Sequence, residues 1–128
     1  AHPDFMMVIS FNPGYQSILK DLKQSTRQRF VSLDFNYPDE TRETEIVAHE
    51  GHIDPEIAAR LVALAARIRR IREQGLTEGA STRLLIYAAL LIRGGIDPVK
   101  ACRSAICQPL TDDERLQETM EELIRDFF

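Results

Sequence analysis

Four polar side chains sit where they could act on a phosphate. Asn12 follows an almost continuous apolar run, FMMVISF, and precedes Pro13-Gly14. An amide at the carboxyl end of a buried strand faces the edge where open α/β sheets bind ligands, and it can both donate to and accept from a water. The same spacing also suits a plain turn-starting asparagine before Pro-Gly. Arg27 and Arg29 lie two apart in STRQRF, just ahead of a second apolar run. An arginine held there is a planar, permanently charged donor that can reach a phosphate; two arginines in a loop also make an ordinary solvated surface. Arg83 lies in GASTRLL, in the first turn of a strongly apolar helix. The helix dipole disfavours a cation at that end. An anion bound at this N-terminus would offset the cost; otherwise Arg83 is a surface arginine tolerated there.

The elements that must carry these residues divide into two stretches. Residues 5–11 and 30–35 read as strands, with a short helix over 17–23 between them. About twenty residues separate the strands, enough for the helical crossover that parallel strands need. Two parallel strands leave edges and faces bare, so the expectation is that further strands lie upstream. From residue 41 onward the sequence reads as helices: 41–49, then from Asp54-Pro55 to about Gln74, 82–93 behind Ser81, from Asp97-Pro98 to about Cys107, and a last helix to Phe128. Asp or Ser before each run and Pro at the first helical position are start signals, and glycines close the runs. Ile57, Leu61, Leu64, Ile68 and Ile71 recur at helical spacing and form one apolar face. Thr111 with Glu114 reads as a capping box. The expected fold is mixed α/β, mainly α, with one region over 1–40 and a helical bundle over 41–128.

Composition bounds the function. Hydrophobic residues make up 44% and charged residues 28%, with a net charge of −4, which does not favour nonspecific binding to nucleic acid or anionic lipid. No apolar run is long enough to span a membrane. Cys102 and Cys107 are not in a CxxC pattern and turn about 140° apart on an α-helix, so they read as free thiols of a reducing cytoplasm. HEGH, residues 49–52, has its histidines three apart rather than four and is interrupted by Gly51, so it is no zinc-protease motif. Arg60, Arg67, Arg69, Arg70 and Arg72 make one helix basic and read as mostly solvated, with a possible contact to the acidic last helix.

AHPDFMMVISFNPGYQ, STRQRF and GASTRLL, in this order, resemble AAA+ ATPases of the MoxR type, and more narrowly the CbbQ/NirQ/NorQ group. The resemblance runs over nearly the whole chain. It implies that residues 1–40 end the α/β nucleotide-binding domain as a partial AAA+ core, and that 41–128 form its helical lid. Asn12 would be the sensor-1 residue that positions the attacking water. Arg29, with Arg27 as the alternative, would be the arginine finger acting on nucleotide held by a neighbouring identical subunit. Arg83 would be the sensor-2 arginine reading the γ-phosphate. The resemblance further implies ATP and Mg2+ as cofactors of the full-length protein, ring-shaped oligomers that are usually hexamers, and a von Willebrand factor A domain adaptor. The client would be Rubisco or a denitrification reductase. No GxxxxGK[ST] loop and no strand ending in paired acids occur in the chain; in the family both lie upstream. The chain alone is therefore expected neither to bind a cofactor nor to hydrolyse ATP. The competing reading is a complete helical module for protein–protein interaction, without catalysis.

Overall fold

The computed structural model describes residues 2–10, 25, 28–71, 76 and 78–128. The chain divides into two compact units, Ala1–Phe35 and Asn36–Phe128. In the first, a turn closes at residues 3–4, where the Phe5 amide donates to the His2 carbonyl at 3.0 Å. Residues 5–10 and 31–35 carry no regular secondary structure, and Phe5, Met6, Val8, Val31, Leu33 and Phe35 are exposed.

The expected strand–helix–strand core is corrected here. Among the described residues there is no strand, either in 5–10 or in 30–35. The reason is the one that makes an isolated parallel pair unstable: without a ladder partner the backbone groups of an apolar run stay with solvent. The helix expected over 17–23 lies outside the described residues.

The second unit is a helical bundle, and its boundaries follow local chemistry. Helix α1, Glu40–Gly51, starts two residues after Pro38. Asp39 caps it, its Oδ1 accepting from the Arg42 amide at 3.0 Å. It ends at His52 with φ 47°, where the His52 and Ile53 amides donate to the His49 and Ala48 carbonyls, a Schellman closure. Helix α2, Pro55–Ile71, is capped by Asp54, whose Oδ1 accepts from the Glu56 amide at 2.8 Å. Helix α3, Thr82–Arg93, follows Ser81, which occupies the cap position without a side-chain cap bond. Gly95, at φ 91°, closes α3 in a second Schellman turn, a conformation that L side chains rarely adopt.

Helix α4, Pro98–Cys102, is capped by Asp97 and continues through a π turn at Arg103–Cys107 into Gln108–Leu110. The Gln108 amide reaches back five residues to the Arg103 carbonyl. Pro109 follows and has no N–H for the carbonyl of Ala105, so the regular α ladder is already broken there. Helix α5, Glu114–Phe127, is capped by Asp113, whose Oδ1 accepts from the Arg115 and Leu116 amides at 2.9 and 3.2 Å. This corrects the capping box expected from Thr111. Thr111 Oγ1 instead accepts from the amide of Asp113, two residues on, at 3.1 Å, and leaves the helix amides to the Asp113 carboxylate, the stronger acceptor.

The core joins all five helices. Val47 of α1, Leu61, Leu64 and Ile68 of α2, Leu85, Ala88 and Ala89 of α3, Cys102 and Ile106, and Met120 and Ile124 of α5 are fully buried. Ile57 and Ile71, at the two ends of the expected α2 face, are half-buried. Helix α1 packs on α2 and α3. The α1–α3 crossing is close: a Cβ on Gly51 would stand 2.5 Å from Ala89 Cβ. The Arg103 Nε–Glu121 Oε1 pair, 2.8 Å apart, ties the π turn to α5. Cys102 and Cys107 are free and buried, and burial pushes both thiols up to about 12.

Candidate functional site

The residues proposed to meet a phosphate are placed unevenly. Asn12 and Arg27 lie outside the described residues. Arg29 is exposed in a turn over 28–30 of the first unit. Arg83 is exposed one residue into α3 of the second. It makes no ion pair among the described residues, so its guanidinium is open at the positive end of the helix. No acid lies in the first turn of α3 either.

Directly beneath this turn is a polar cluster that the sequence reading did not single out. Glu43, on α1, is fully buried. Arg69, near the end of α2, embraces it: Nη1 donates to Oε2 at 2.8 Å and Nη2 to Oε1 at 2.7 Å. Arg69 Nε donates to the Ala80 carbonyl at 2.8 Å. Thr82 Oγ1, in the first residue of α3, donates to Glu43 Oε1 at 2.7 Å. The Tyr37 ring covers the guanidinium, with Cζ 3.7 Å from the ring centroid, a cation–π arrangement. A Cβ on Gly79 would meet the Tyr37 hydroxyl at 2.9 Å and Arg69 Cγ at 3.2 Å, so a side chain there would push the Tyr37 ring or the Arg69 stem from the segment that enters α3.

The electrostatics agree with the geometry. Burial by itself pushes the Glu43 carboxyl upward. Hydrogen bonds from Arg69 and Thr82, with the Arg69 charge, overcome that push, and the net shift is below the ordinary value of 4.5. Glu43 is therefore ionised at neutral pH, as a partner for Arg69.

One signal in the sequence did point to this cluster. Glu43, Val47 and Gly51 stand at i, i+4 and i+8, so the buried face of α1 includes a carboxylate. A buried acid requires a cationic partner. Of the basic run expected to be mostly solvated, Arg69 is the exception: its side chain is 16% exposed and belongs to the interior. Arg60, paired with Glu56 at 2.9 Å, and the exposed Arg67 and Arg70 fit the solvated reading, and Arg72 lies outside the described residues. Glu121 of α5 pairs with Arg103, and among the described residues no acid of α5 pairs with an arginine of α2. His49 pairs on the surface with Glu50 at 3.0 Å, and His52 closes α1.

Comparison with known proteins places this arrangement in a family. The CbbQ/NirQ/NorQ C-terminal family model matches residues 43–127, from Glu43 to the end of α5. The chain belongs to the CbbQ/NirQ/NorQ family. It is 52% identical over 128 residues to Protein CbbQ of Hydrogenophilus thermoluteolus, covering 100% of this chain and 48% of that protein. It is 48% identical over 128 residues to Protein NorQ of Paracoccus denitrificans, covering 100% and 47%. It is 45% identical over 124 residues to the Denitrification regulatory protein NirQ of Stutzerimonas stutzeri, covering 97% and 45%. The chain thus spans about half the length of the curated CbbQ, NorQ and NirQ relatives that it matches. Both Arg83 and the Glu43–Arg69–Thr82 cluster fall inside the CbbQ/NirQ/NorQ C-terminal region.

Proposed function

We propose that this chain is the C-terminal part of an AAA+ ATPase of the CbbQ/NirQ/NorQ group, which uses ATP hydrolysis to remodel or activate a metabolic enzyme. The client would be Rubisco or a denitrification reductase, in keeping with relatives named CbbQ and Denitrification regulatory protein NirQ. The observation that carries the reading is the family match over 43–127, with Arg83 free at the head of α3. It also weighs against a helical interaction module without catalytic ancestry.

In this reading Arg83 would hold the γ-phosphate of ATP. Its fit rests on an exposed guanidinium beside the unpaired amides of a helix N-terminus, two features that both attract an oxyanion. ATP with Mg2+ supplies the phosphoryl group and the counter-charge when bound. Arg29 stands exposed on a turn, as a finger reaching a neighbouring subunit's nucleotide must. Asn12 would orient the attacking water, and Arg27 is the alternative finger. The assembly would be a ring of identical subunits, a hexamer by resemblance, working in the cytoplasm with a von Willebrand factor A domain adaptor. No helix among the described residues is long and apolar enough to cross a membrane. A phosphate loop is absent from the sequence, so the chain by itself would not hydrolyse ATP.

The test is Arg29→Ala in the full-length protein. Hydrolysis should fall by roughly 10³–10⁵, the worth of a finger in phosphoryl transfer, while binding of a fluorescent ATP analogue stays within about twofold. Lost binding with an unchanged turnover of bound ATP would remove Arg29 from that role.

A further inference from the structure

The cluster under α3 does more than join helices. Glu43 Oε1 accepts from Thr82, and Arg69 Nε donates to the carbonyl of Ala80. Residues 80 and 82 are therefore pinned from below, on either side of Ser81 and immediately before Arg83. Ser81 makes no side-chain cap bond, so this N-terminus is held by Glu43 and Arg69 rather than by its own cap. Thr82 spends its hydroxyl on Glu43 instead of on its own helix. Buried ion pairs of this kind are often no more stabilising than apolar residues of the same volume, whereas they fix direction: a two-pronged guanidinium–carboxylate pair holds its plane. What is fixed here is the orientation of the first turn of α3.

We propose that Glu43, locked by Arg69, is a positioning residue for Arg83: through Thr82 and Ala80 it sets where the Arg83 guanidinium stands to meet the terminal phosphate of a nucleoside triphosphate. The proposal rests on the reading of Arg83 given above. Thr82 is the place to test it, because its hydroxyl is one atom at the edge of the cluster and its removal leaves the Glu43–Arg69 pair intact.

The experiment uses the full-length protein with Thr82→Val, Thr82→Ser, Arg83→Ala and the double variant T82V/R83A. Two quantities are read: amide hydrogen exchange over 80–86, and kcat and KM for ATP. Thr82→Val should speed exchange over 80–86 and lower kcat/KM, each by about tenfold, the lower end of what a hydrogen bond to a charged group is worth. It should divide between kcat and KM as Arg83→Ala does, in milder form. Thr82→Ser should restore both, and T82V should cost nothing further once Arg83 is gone. Unchanged exchange with unchanged kinetics overturns the proposal. So does a T82V loss that adds fully to that of R83A, because the hydroxyl would then act by some route other than Arg83. If R83A turns over ATP like the parent, the reading of Arg83 falls and the proposal falls with it. If R83A is impaired and T82V is not, only the positioning role is overturned.

Discussion

Replacing Glu43 by glutamine is the sharpest probe of what holds the helical unit together. In the folded chain the carboxylate accepts three hydrogen bonds, two from Arg69 and one from Thr82. Glutamine keeps one oxygen but turns an N–H2 toward an Arg69 donor, and it removes the one acid paired with that guanidinium among the described residues. Leaving one partner of a buried ion pair uncompensated costs about 3–5 kcal/mol. Arg69 retains 16% exposure, so water relieves part of the cost and the lower end, about 3 kcal/mol, applies. Urea unfolding of the chain, followed by far-UV circular dichroism, measures it as a shift in midpoint at constant slope. The double variant Glu43→Leu/Arg69→Met removes both charges and should cost only about 1–2 kcal/mol, mostly for the abandoned Thr82 hydroxyl and Ala80 carbonyl. A Glu43→Gln cost below about 1 kcal/mol, or a double variant as damaging as the two single changes summed, would refute the argument that the pair is buried and mutually dependent. The pH dependence carries the same signature. The folded Glu43 carboxyl lies below 4.5, so its contribution is fully present above that value. It is lost as pH falls through the lowered folded value, and Glu43→Gln should remove this acid-side slope.

Three further outcomes follow from local geometry. Gly51→Ala puts a methyl 2.5 Å from Ala89 Cβ, so α1 and α3 must move apart; a loss of about 1–3 kcal/mol is expected in thermal unfolding, and the change Gly51→Ala/Ala89→Gly should recover much of it. Asp113→Ala should cost about 1 kcal/mol as a lost N-cap and Thr111→Ala clearly less, the reverse of what a Thr111 capping box requires. The thiols of Cys102 and Cys107, buried and pushed up to about 12, should resist iodoacetamide at pH 8 in the native chain and react promptly in urea; fast native alkylation would place them at the surface.

The sequence by itself determined where several helices of the second unit begin and where α3 ends; the end expected for α2 near Gln74 lies outside the described residues, and α4 runs on past the expected Cys107 to Leu110. Asp54, Asp97, Pro55 and Pro98 start helices, and Gly94-Gly95 stops one, through hydrogen bonds within a few residues of each other, so no distant partner is needed to read them. The apolar face of Leu61, Leu64 and Ile68 was legible for the same reason. Placement of Arg83 in the first turn of α3 was equally local. The strands expected around Val8 and Val31 were not decided this way, because a strand exists only through a ladder with another strand. Cap choice between Thr111 and Asp113 turned on two residues, within which the sequence pattern cannot discriminate. The Glu43–Arg69 pair is the plainest case. Its partners are separated by 26 residues and meet Thr82, 39 residues from Glu43. Sequence shows an acid on an apolar stripe and an arginine in a basic run; only the packing of α1 and α2 beneath α3 brings them together, out of water, below the turn that carries Arg83.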